Sequence, residues 1–237
     1  MAKKYFLVLD SETTQDGKIA ALGLVVCDRH GNIAYDVGLL VGDFYLNRDK
    51  HPLFFTADAD PLWGKRGLGK RYAKYDQMII DGRRMIASVA AINRLLVKIR
   101  LKYNPTLTAY NLAFDAGKAA NSGIDLTIFE QSFCLWHAAA DKYVKRKDFR
   151  QFILDNGFFG NRTKLGNLGF QTKADVVAKF ILGAAFPDEP HTALEDARDY
   201  EVPILVEVIK NKSPKQYMNA PAYNWRNVQV KDWFKPR

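Results

Sequence analysis

The hydrophobic residues near the N-terminus fall into three runs, 4–10, 18–27 and 32–41, separated by short polar turns. Gly17 ends the first turn and Gly31 ends the second, and glycine adopts the positive φ angles that tight turns require. The pattern predicts three consecutive strands that pair antiparallel as a meander. Such a meander is typical of an α+β or a mixed α/β fold.

Further along the chain the period of the apolar positions changes. From Met85 to Ile99 they recur at spacings of three and four, which predicts an amphipathic helix with Asp81 as its N-cap. The remaining predicted elements are a strand over 106–110, a helix over 111–121, a short strand over 133–136 and helices over 172–182 and 192–209. Helices that alternate with strands favour an α/β domain.

Two stretches have no clean periodicity. Residues 43–82 form a long insertion, and such a segment is expected to carry function or to hide short elements. Residues 211–237 contain five aromatic side chains, too many for a disordered tail. We expect residues 1–210 to form one domain that includes the insertion, and 211–237 to pack on it as an aromatic strap. A dimer contact or a surface that stacks on nucleic acid is the alternative.

The 237 residues carry a formal net charge of +9, from 35 Lys and Arg against 26 Asp and Glu. This excess favours a polyanionic partner such as nucleic acid, although a solvated basic surface gives the same count. The two cysteines, Cys27 and Cys134, are too few for a disulfide framework and lack zinc-ligand spacing. No apolar run is long enough to cross a bilayer, so we expect a soluble cytoplasmic protein with no membrane partner.

Candidate chemistry begins at the end of the first predicted strand. Asp10 and Glu12 are two residues apart, so on a strand their side chains project from the same face, roughly 7 Å apart. Two unpaired carboxylates repel each other there, and a divalent metal ion between them is the simplest remedy. Since acidic residues often end strands, this pair alone is weak evidence.

Two later segments add acidic residues and a histidine. Asn111 and Asp115 follow the strand predicted over 106–110, and residues 190–196 have the sequence Pro-His-Thr-Ala-Leu-Glu-Asp. In chain order the candidates are Asp10, Glu12, Asp115, His191 and Asp196. Each residue alone has an ordinary explanation as a loop or helix residue. Their occurrence together in this order and spacing would require several coincidences.

This set resembles the DEDDh family of 3′-to-5′ exonucleases, which includes ribonuclease T, oligoribonuclease and the proofreading subunit of bacterial replicative polymerase. The resemblance extends from about Lys4 to about Asn211, and its most specific part is the His-x-Ala-x-x-Asp motif over 191–196. It implies a ribonuclease H-like α/β fold, in which parallel strands follow the antiparallel meander in one mixed sheet flanked by helices. It also implies that Thr13 contacts the terminal nucleotide. Ser11 departs from the family, which more often has an aromatic residue or threonine there.

Four carboxylates would suit two divalent ions. Oxygen ligands select Mg²⁺ or Mn²⁺ over zinc, and Asp10, Glu12, Asp115 and Asp196 together balance the charge of two such ions. We expect two Mg²⁺ ions ~4 Å apart, with Mn²⁺ able to substitute. His191 is the expected general base, because an ordinary histidine pKa of ~6.5 suits proton transfer near neutral pH. It is expected to lie in the loop before a helix, with Asp196 one turn inside that helix.

The expected function is hydrolysis of single-stranded DNA or RNA from the 3′ end, with release of nucleoside monophosphates. An endonuclease of the same superfamily and a non-catalytic module that binds nucleic acid or a polymerase are the alternatives. Because ribonuclease T is a dimer, the resemblance also makes a homodimer a candidate assembly.

The candidate substrate-binding residues are Thr13, Asn111, Lys65, Arg66, Lys70 and Arg71. The four cations lie among glycines and aromatic residues, a composition that suits phosphate contacts and base stacking but also a flexible basic surface loop. Asn111 is expected both to cap its helix and to orient Asp115.

Overall fold

The structure, a computed structural model, describes residues 4–57, 63–162 and 168–222 of the chain. The strands are β1 (Tyr5–Thr13), β2 (Ile19–Asp28), β3 (Ile33–Val41), β4 (Met85–Ala87), β5 (Thr106–Ala109), β6 (Ser132–Cys134), β7 (Phe159–Arg162) and β8 (Leu168–Phe170). The helices are α1 (Gly42–Tyr45), α2 (Leu68–Ile80), α3 (Val89–Tyr103), α4 (Leu112–Ser122), α5 (Leu135–Tyr143), α6 (Lys147–Asn156), α7 (Ala174–Leu182), α8 (Val202–Ile209) and α9 (Pro214–Met218). A short 3₁₀ helix, Lys65–Gly67, precedes α2, and a π-helical segment, Asp196–Glu201, leads into α8.

Six strands form one sheet in the order β4-β3-β2-β1-β5-β6. β1 pairs antiparallel with β2, and β2 pairs antiparallel with β3, which confirms the predicted meander. β5 then joins β1 in parallel and β6 joins β5 in parallel, while β4 lies parallel to β3 at the opposite edge. The predicted mixed α/β sheet, with parallel strands after the meander and helices around it, is therefore confirmed.

Helices cover both faces of the sheet and bury β2 throughout, which explains why its sequence is apolar without a break. Along β1, Phe6 and Val8 share a core with α5, α7 and α8, whereas Leu7 and Leu9 share a core with α3 and α4 on the other face. Because side chains alternate along a strand, Asp10 and the residue two positions later face the side of α7 and α8.

Gly23 of β2 lies opposite Asp10 in the strand register. A Cβ atom at Gly23 would overlap the backbone of Ala193 and Leu194, which lies directly against β2 at this point. The glycine therefore lets the chain that follows His191 approach the sheet closely enough to reach the carboxylates of β1.

The structure corrects the predicted start of α3. Asp81 is not the N-cap of that helix but the C-cap of α2. The first apolar residues of the predicted helix form β4 instead, and Ser88 caps α3 by accepting a hydrogen bond from the N–H of Ala91 at 3.2 Å. Three residues are too few to separate a strand period from a helical one, so β4 merges with α3 in the sequence pattern.

The two stretches without periodicity contain regular structure where they are described. The insertion over 43–82 holds the 3₁₀ helix and α2, so the four cations predicted to bind substrate, Lys65, Arg66, Lys70 and Arg71, lie on helices. Within the tail, Tyr217 of α9 is buried and its ring packs against Phe6 and Phe133. The rest of the predicted strap, residues 223–237, lies outside the described residues. In the described part of the chain, no helix combines the length and apolarity needed to cross a membrane.

Candidate active site

The first two carboxylates come from the middle of the sheet. Asp10 and Glu12 lie opposite Gly23 and Ala21 of β2, on the same face of β1, as the strand period predicts. β1 continues to Thr13, so both carboxylates lie within the strand and not beyond its end. Glu12 is only 9% exposed, and its charge is therefore poorly solvated.

The third carboxylate comes from the helix after β5. Asp115 lies in the first turn of α4, is buried, and accepts a hydrogen bond from the Ser11 hydroxyl at 2.6 Å. Ser11, the position that departs from the resembled family, thus orients Asp115. Asn111 occupies the N-cap position with φ 76°, but its side chain makes no capping hydrogen bond. The predicted capping role is wrong, because capping side chains normally act from an extended backbone and Asn111 has a left-handed one. Asn111 lines the neighbouring cavity instead.

His191 precedes the helical segment, as predicted, and has a positive φ of 52°. Its Nδ1 lies 3.9 Å from Oε1 of Glu12. Asp196 accepts a hydrogen bond from the N–H of Thr192 at 2.8 Å, which closes the loop onto the first turn. One potential ligand atom from each of Glu12, His191 and Asp196 lies within 4.8 Å of the others. The structure therefore brings Glu12 of β1 together with His191 and Asp196 of the His-x-Ala-x-x-Asp motif.

The loop that carries His191 is held from outside the sheet. Arg84, whose side chain is 2% exposed, forms an ion pair with Glu195 and donates a hydrogen bond to the carbonyl of Thr192 at 3.2 Å. The hydroxyl of Tyr75 donates a hydrogen bond to the carbonyl of His191 at 3.4 Å. Glu195 is thereby committed to Arg84, which explains why it does not join its neighbour Asp196 among the clustered carboxylates.

Glu201 is a further buried acidic residue that sequence reasoning missed. It is 2% exposed, lines the same cavity as Asp10, and its Oε1 accepts a hydrogen bond from the N–H of Tyr110 at 3.3 Å. On an α-helix Glu201 would be about 140° away from Asp196, but the π-helical segment has more residues per turn and aligns the two. Pro203 was the one sequence signal that the helix predicted over 192–209 is irregular, since proline within a helix disrupts the regular hydrogen-bond ladder.

Burial and mutual repulsion raise the pKa values of these carboxyl groups. Burial, then the charge of Glu201, raises the pKa of Asp10 well above its ordinary range. The pKa of Glu201 is also far above its usual range, first from burial and then from Asp115. Burial followed by the charge of Asp196 raises the pKa of Glu12 to about 8. Burial raises the pKa of Asp115 and of Asp196 to about 7.

This group of residues fits divalent cations. Oδ1 of Asp196 and Oε2 of Glu201 are buried and have no hydrogen-bond partner among the described residues. Crowded carboxylate oxygens with uncompensated negative charge are the ligands that Mg²⁺ and Mn²⁺ prefer. Cations bound here would remove the repulsion and satisfy the orphaned oxygens.

A cavity of about 700 Å³ opens beside the carboxylates, large enough for a nucleotide. Asp10, Glu201 and His191 contribute to its lining. Trp63, from the insertion, also lines it, and its ring meets that of His191 edge-on with 4.3 Å between the ring centres. The insertion therefore packs directly against the ring of His191.

The predicted substrate-binding cations do not act as one group. Lys65, Arg66 and Lys70 are exposed, whereas Arg71 is half-buried, donates a hydrogen bond to the carbonyl of Phe54, and lowers the pKa of Glu12 through its charge. Of these four, Arg71 alone bears on the carboxylates.

Two further residues bear on the substrate site. Thr13 is buried at the end of β1, and its contact with the terminal nucleotide stays a prediction. Lys74, which sequence reasoning missed, donates a hydrogen bond to the carbonyl of Pro190 at 3.2 Å and attracts the charge of Asp196. It lies one helical turn after Lys70, so its proximity to the site was not visible without the packing of α2.

No protein-family profile matches the chain, and no curated protein matches it. Among solved structures, exonuclease I in complex with the inhibitor BCBP matches with a TM-score of 0.50, at 12% identity over 92% of this chain and 43% of that chain. Exonuclease I of E. coli in complex with a 5cy-dT13 oligonucleotide matches with a TM-score of 0.50, at 13% identity over 91% of this chain and 42% of that chain. The match thus spans less than half of the length of those proteins, and it shows that this chain shares the fold of the matched part of exonuclease I.

Proposed function

We propose that the protein is a metal-dependent 3′-to-5′ exonuclease that releases nucleoside monophosphates from single-stranded DNA or RNA. The observation that supports this most is the convergence of four carboxylates, three of them buried, and His191 beside one cavity, in the fold of the matched part of exonuclease I. The carboxylates are those of Asp10, Glu12, Asp115 and Asp196.

The chain would divide the chemistry among three elements. Two Mg²⁺ ions, when bound, would neutralise the charge of the scissile phosphate and stabilise both the attacking water oxygen and the leaving oxygen. The carboxylates of β1, α4 and the π-helical segment would hold them. His191 would accept the proton of the attacking water, and Glu12, 3.9 Å from its Nδ1, would stabilise the resulting imidazolium. Trp63 would limit the access of bulk water to the histidine ring.

The proposed substrate is single-stranded nucleic acid. The net charge of +9 favours a polyanion, and the cavity is lined by aromatic side chains that suit unstacked bases. One of the structural neighbours is a complex of exonuclease I with an oligonucleotide. The direction of attack from the 3′ end follows from the resemblance to the DEDDh exonucleases. A site that is built from one strand and two helix starts around a pocket suits a chain end better than a continuous strand.

The decisive experiment compares linear and circular forms of one single-stranded DNA sequence in Mg²⁺ and in EDTA. We expect a ladder of shortened 5′-labelled products and nucleoside 5′-monophosphates from the linear strand in Mg²⁺, and no products in EDTA. The circle and a linear strand blocked by a 3′-phosphate should be degraded far more slowly. Matched RNA strands then define the preferred sugar.

Each alternative predicts a different result. Equal loss of the circle would show an endonuclease. Binding of the labelled strand without any cleavage in Mg²⁺ or Mn²⁺ would show a binding module that retains a nuclease fold. Undiminished cleavage in EDTA would overturn the role assigned to the carboxylates.

A further inference from the structure

Three consecutive backbone carbonyls, those of residues 190–192, each accept a hydrogen bond from one short stretch of the chain. Lys74, Tyr75 and Arg84 donate to these carbonyls in turn, at 3.2, 3.4 and 3.2 Å. The first two donors lie on α2, and the third lies directly before β4. We call Lys74, Tyr75 and Arg84 the carbonyl clamp. It attaches the insertion to the loop that carries the histidine of the proposed active site.

The backbone that the carbonyl clamp holds is strained. His191 has a φ of 52°, a left-handed conformation that residues other than glycine adopt only when their surroundings fix it. The carbonyls of Pro190 and His191 belong to the two peptide groups that flank the Cα atom of His191, and both are held by hydrogen bonds. The clamp therefore restricts both backbone torsions at His191 and sets the direction in which the imidazole leaves the backbone.

The sheet leaves room for the buried arginine of the carbonyl clamp. The side chain of Arg84 is only 2% exposed, and it forms an ion pair with Glu195. Gly38 of β3 pairs with Gly23 of β2, and a Cβ atom at Gly38 would come within 2.8 Å of the guanidinium carbon of Arg84. Of these two paired glycines, one admits the chain that follows His191 and the other admits the arginine that holds that chain.

We propose that the carbonyl clamp positions the general base: it fixes residues 190–192 so that the imidazole of His191 meets the attacking water. This proposal rests on the proposed function, because the clamp acts through His191. Proton transfer requires the base to lie within hydrogen-bond reach of the water, and a misplacement of about 1 Å can lower the rate about 10²-fold. Tyr75 and Arg84 are buried and should carry most of the effect, whereas Lys74 is exposed and should contribute least.

The first test uses the smallest change. Tyr75→Phe removes one hydroxyl and keeps the buried ring. We expect the single-turnover rate of cleavage of a linear single-stranded DNA in Mg²⁺ to fall by about 5- to 50-fold, with strand affinity within about twofold of the wild type. Tyr103→Phe is the matched control, because this hydroxyl donates to the carbonyl of Ala34 at 3.3 Å and lies outside the cavity lining. An unchanged rate in Tyr75→Phe would overturn the proposal.

The second test asks whether the effect passes through the histidine. In the His191→Ala background, Tyr75→Phe should lower the rate by no more than about twofold further, because the clamp has no imidazole left to position. A loss as large as in the wild-type background would show that Tyr75 supports the fold or the metal ligands, and would overturn the proposal.

The third test separates the histidine from Asp196, which is the neighbour of Glu195. Arg84→Lys keeps the positive charge but lacks the planar group that reaches Glu195 and the carbonyl of Thr192 together. It should lower kcat by about 10- to 100-fold, while the Mg²⁺ concentration for half-maximal activity stays within about threefold of the wild type. A higher Mg²⁺ requirement, with kcat restored at saturation, would show that Arg84 supports the metal ligands and would contradict its role in the clamp.

The last test depends neither on cleavage nor on a metal ion. The untagged chain has four histidines, so their ring signals can be separated by proton NMR, and His191→Ala identifies those of His191. The ring of Trp63, edge-on to that of His191 with 4.3 Å between the ring centres, should displace these signals from those of the exposed His30. At about pH 8, where an ordinary histidine is neutral, Tyr75→Phe and Arg84→Lys should move the His191 signals toward those of His30. The control variant of the first test should leave them in place.

The outcomes for the clamp and for the nuclease function are separate. Unchanged His191 signals in both clamp variants would overturn the proposal, whatever the activity of the protein. Absence of cleavage by the wild type in Mg²⁺ or Mn²⁺ would overturn the proposed nuclease function. Cleavage by the wild type, with equal kcat in Tyr75→Phe and Arg84→Lys, would overturn the clamp alone.

Discussion

The acidic residues beside the cavity include two pairs that the chain builds in different ways. Asp10 and Glu12 are two residues apart on β1, where the strand period points both to one face. Asp196 and Glu201 are five residues apart, and a π-helical segment brings them to one side. The strand pair is visible in the sequence, whereas the helical pair is visible only in the structure.

The difference teaches where sequence periodicity stops being informative. A regular strand repeats every two residues, so a motif on it can be placed in space before the fold is known. A π-helical segment is rare and has no pattern of its own. Here it leads directly into α8, whose second residue, Pro203, has no N–H to continue the regular ladder. The two pairs should therefore differ in how they respond to substitution.

The largest expected effect is at the strand pair. Asp10→Asn should lower kcat/KM for single-stranded DNA in Mg²⁺ by at least about a thousandfold, because a neutral amide is a poor ligand for a hard cation. Its melting temperature in EDTA should be no lower than that of the wild type, since the change removes charge repulsion from a buried group. Asp115→Asn should behave in the same way. Activity within tenfold of the wild type in either variant would contradict the proposed metal site.

Substitution of His191 should have the next largest effect. His191→Ala should lower kcat by about 10²- to 10⁴-fold and change substrate affinity little, as expected for a general base. Single-turnover kinetics and equilibrium binding of a labelled strand separate the two quantities. Trp63→Phe serves as the control for the ring that packs on the histidine. A large loss of affinity with unchanged kcat would assign His191 to binding.

Much of the fold follows from the sequence for physical reasons. The meander, β5, α4 and β6 are predicted because each apolar run is bounded by turn residues and is buried on the sheet. The elements that were not predicted have weak local signals. β4 has only three residues. The inward face of α2 is identified only by the structure, in which Tyr75 and Met78 are buried.

The five predicted catalytic residues lie close together in the structure, but their surroundings depend on tertiary contacts that no local pattern encodes. Ser11 orients Asp115 across 104 positions of sequence, and Arg84 reaches Glu195 across 111. Both contacts depend on the order of the strands in the sheet. The strand period pairs Asp10 with Glu12, and the resemblance to the DEDDh motifs adds Asp115, His191 and Asp196. Neither signal points to the residues that hold them.

The helical pair should respond more mildly than the strand pair. Glu201→Gln should raise the Mg²⁺ concentration for half-maximal activity by about 10- to 100-fold, with most of kcat recovered at saturating Mg²⁺, as for a residue that supports a metal site from its surroundings. A Mg²⁺ titration of the initial rate measures this. Glu207→Gln, on α8 and outside the cavity lining, is the matched control. Should Glu201→Gln lose as much activity as Asp10→Asn at every Mg²⁺ concentration, the two pairs would be equivalent and the comparison would fail.

The smallest effect is expected in the insertion, the region whose structure the sequence predicted least. Lys65, Arg66 and Lys70 are exposed, so their joint replacement by alanine should weaken strand binding mainly at low salt. The salt dependence should also become flatter, by up to about 0.7 in the logarithmic slope for each phosphate that the variant no longer neutralises. Fluorescence anisotropy of a labelled strand at several salt concentrations measures the slope. Joint replacement of Lys98, Lys145 and Lys147, which are exposed elsewhere, removes the same number of charges and serves as the control. If both sets of variants change the slope equally, the insertion only adds to the general positive charge and does not guide the strand to the cavity.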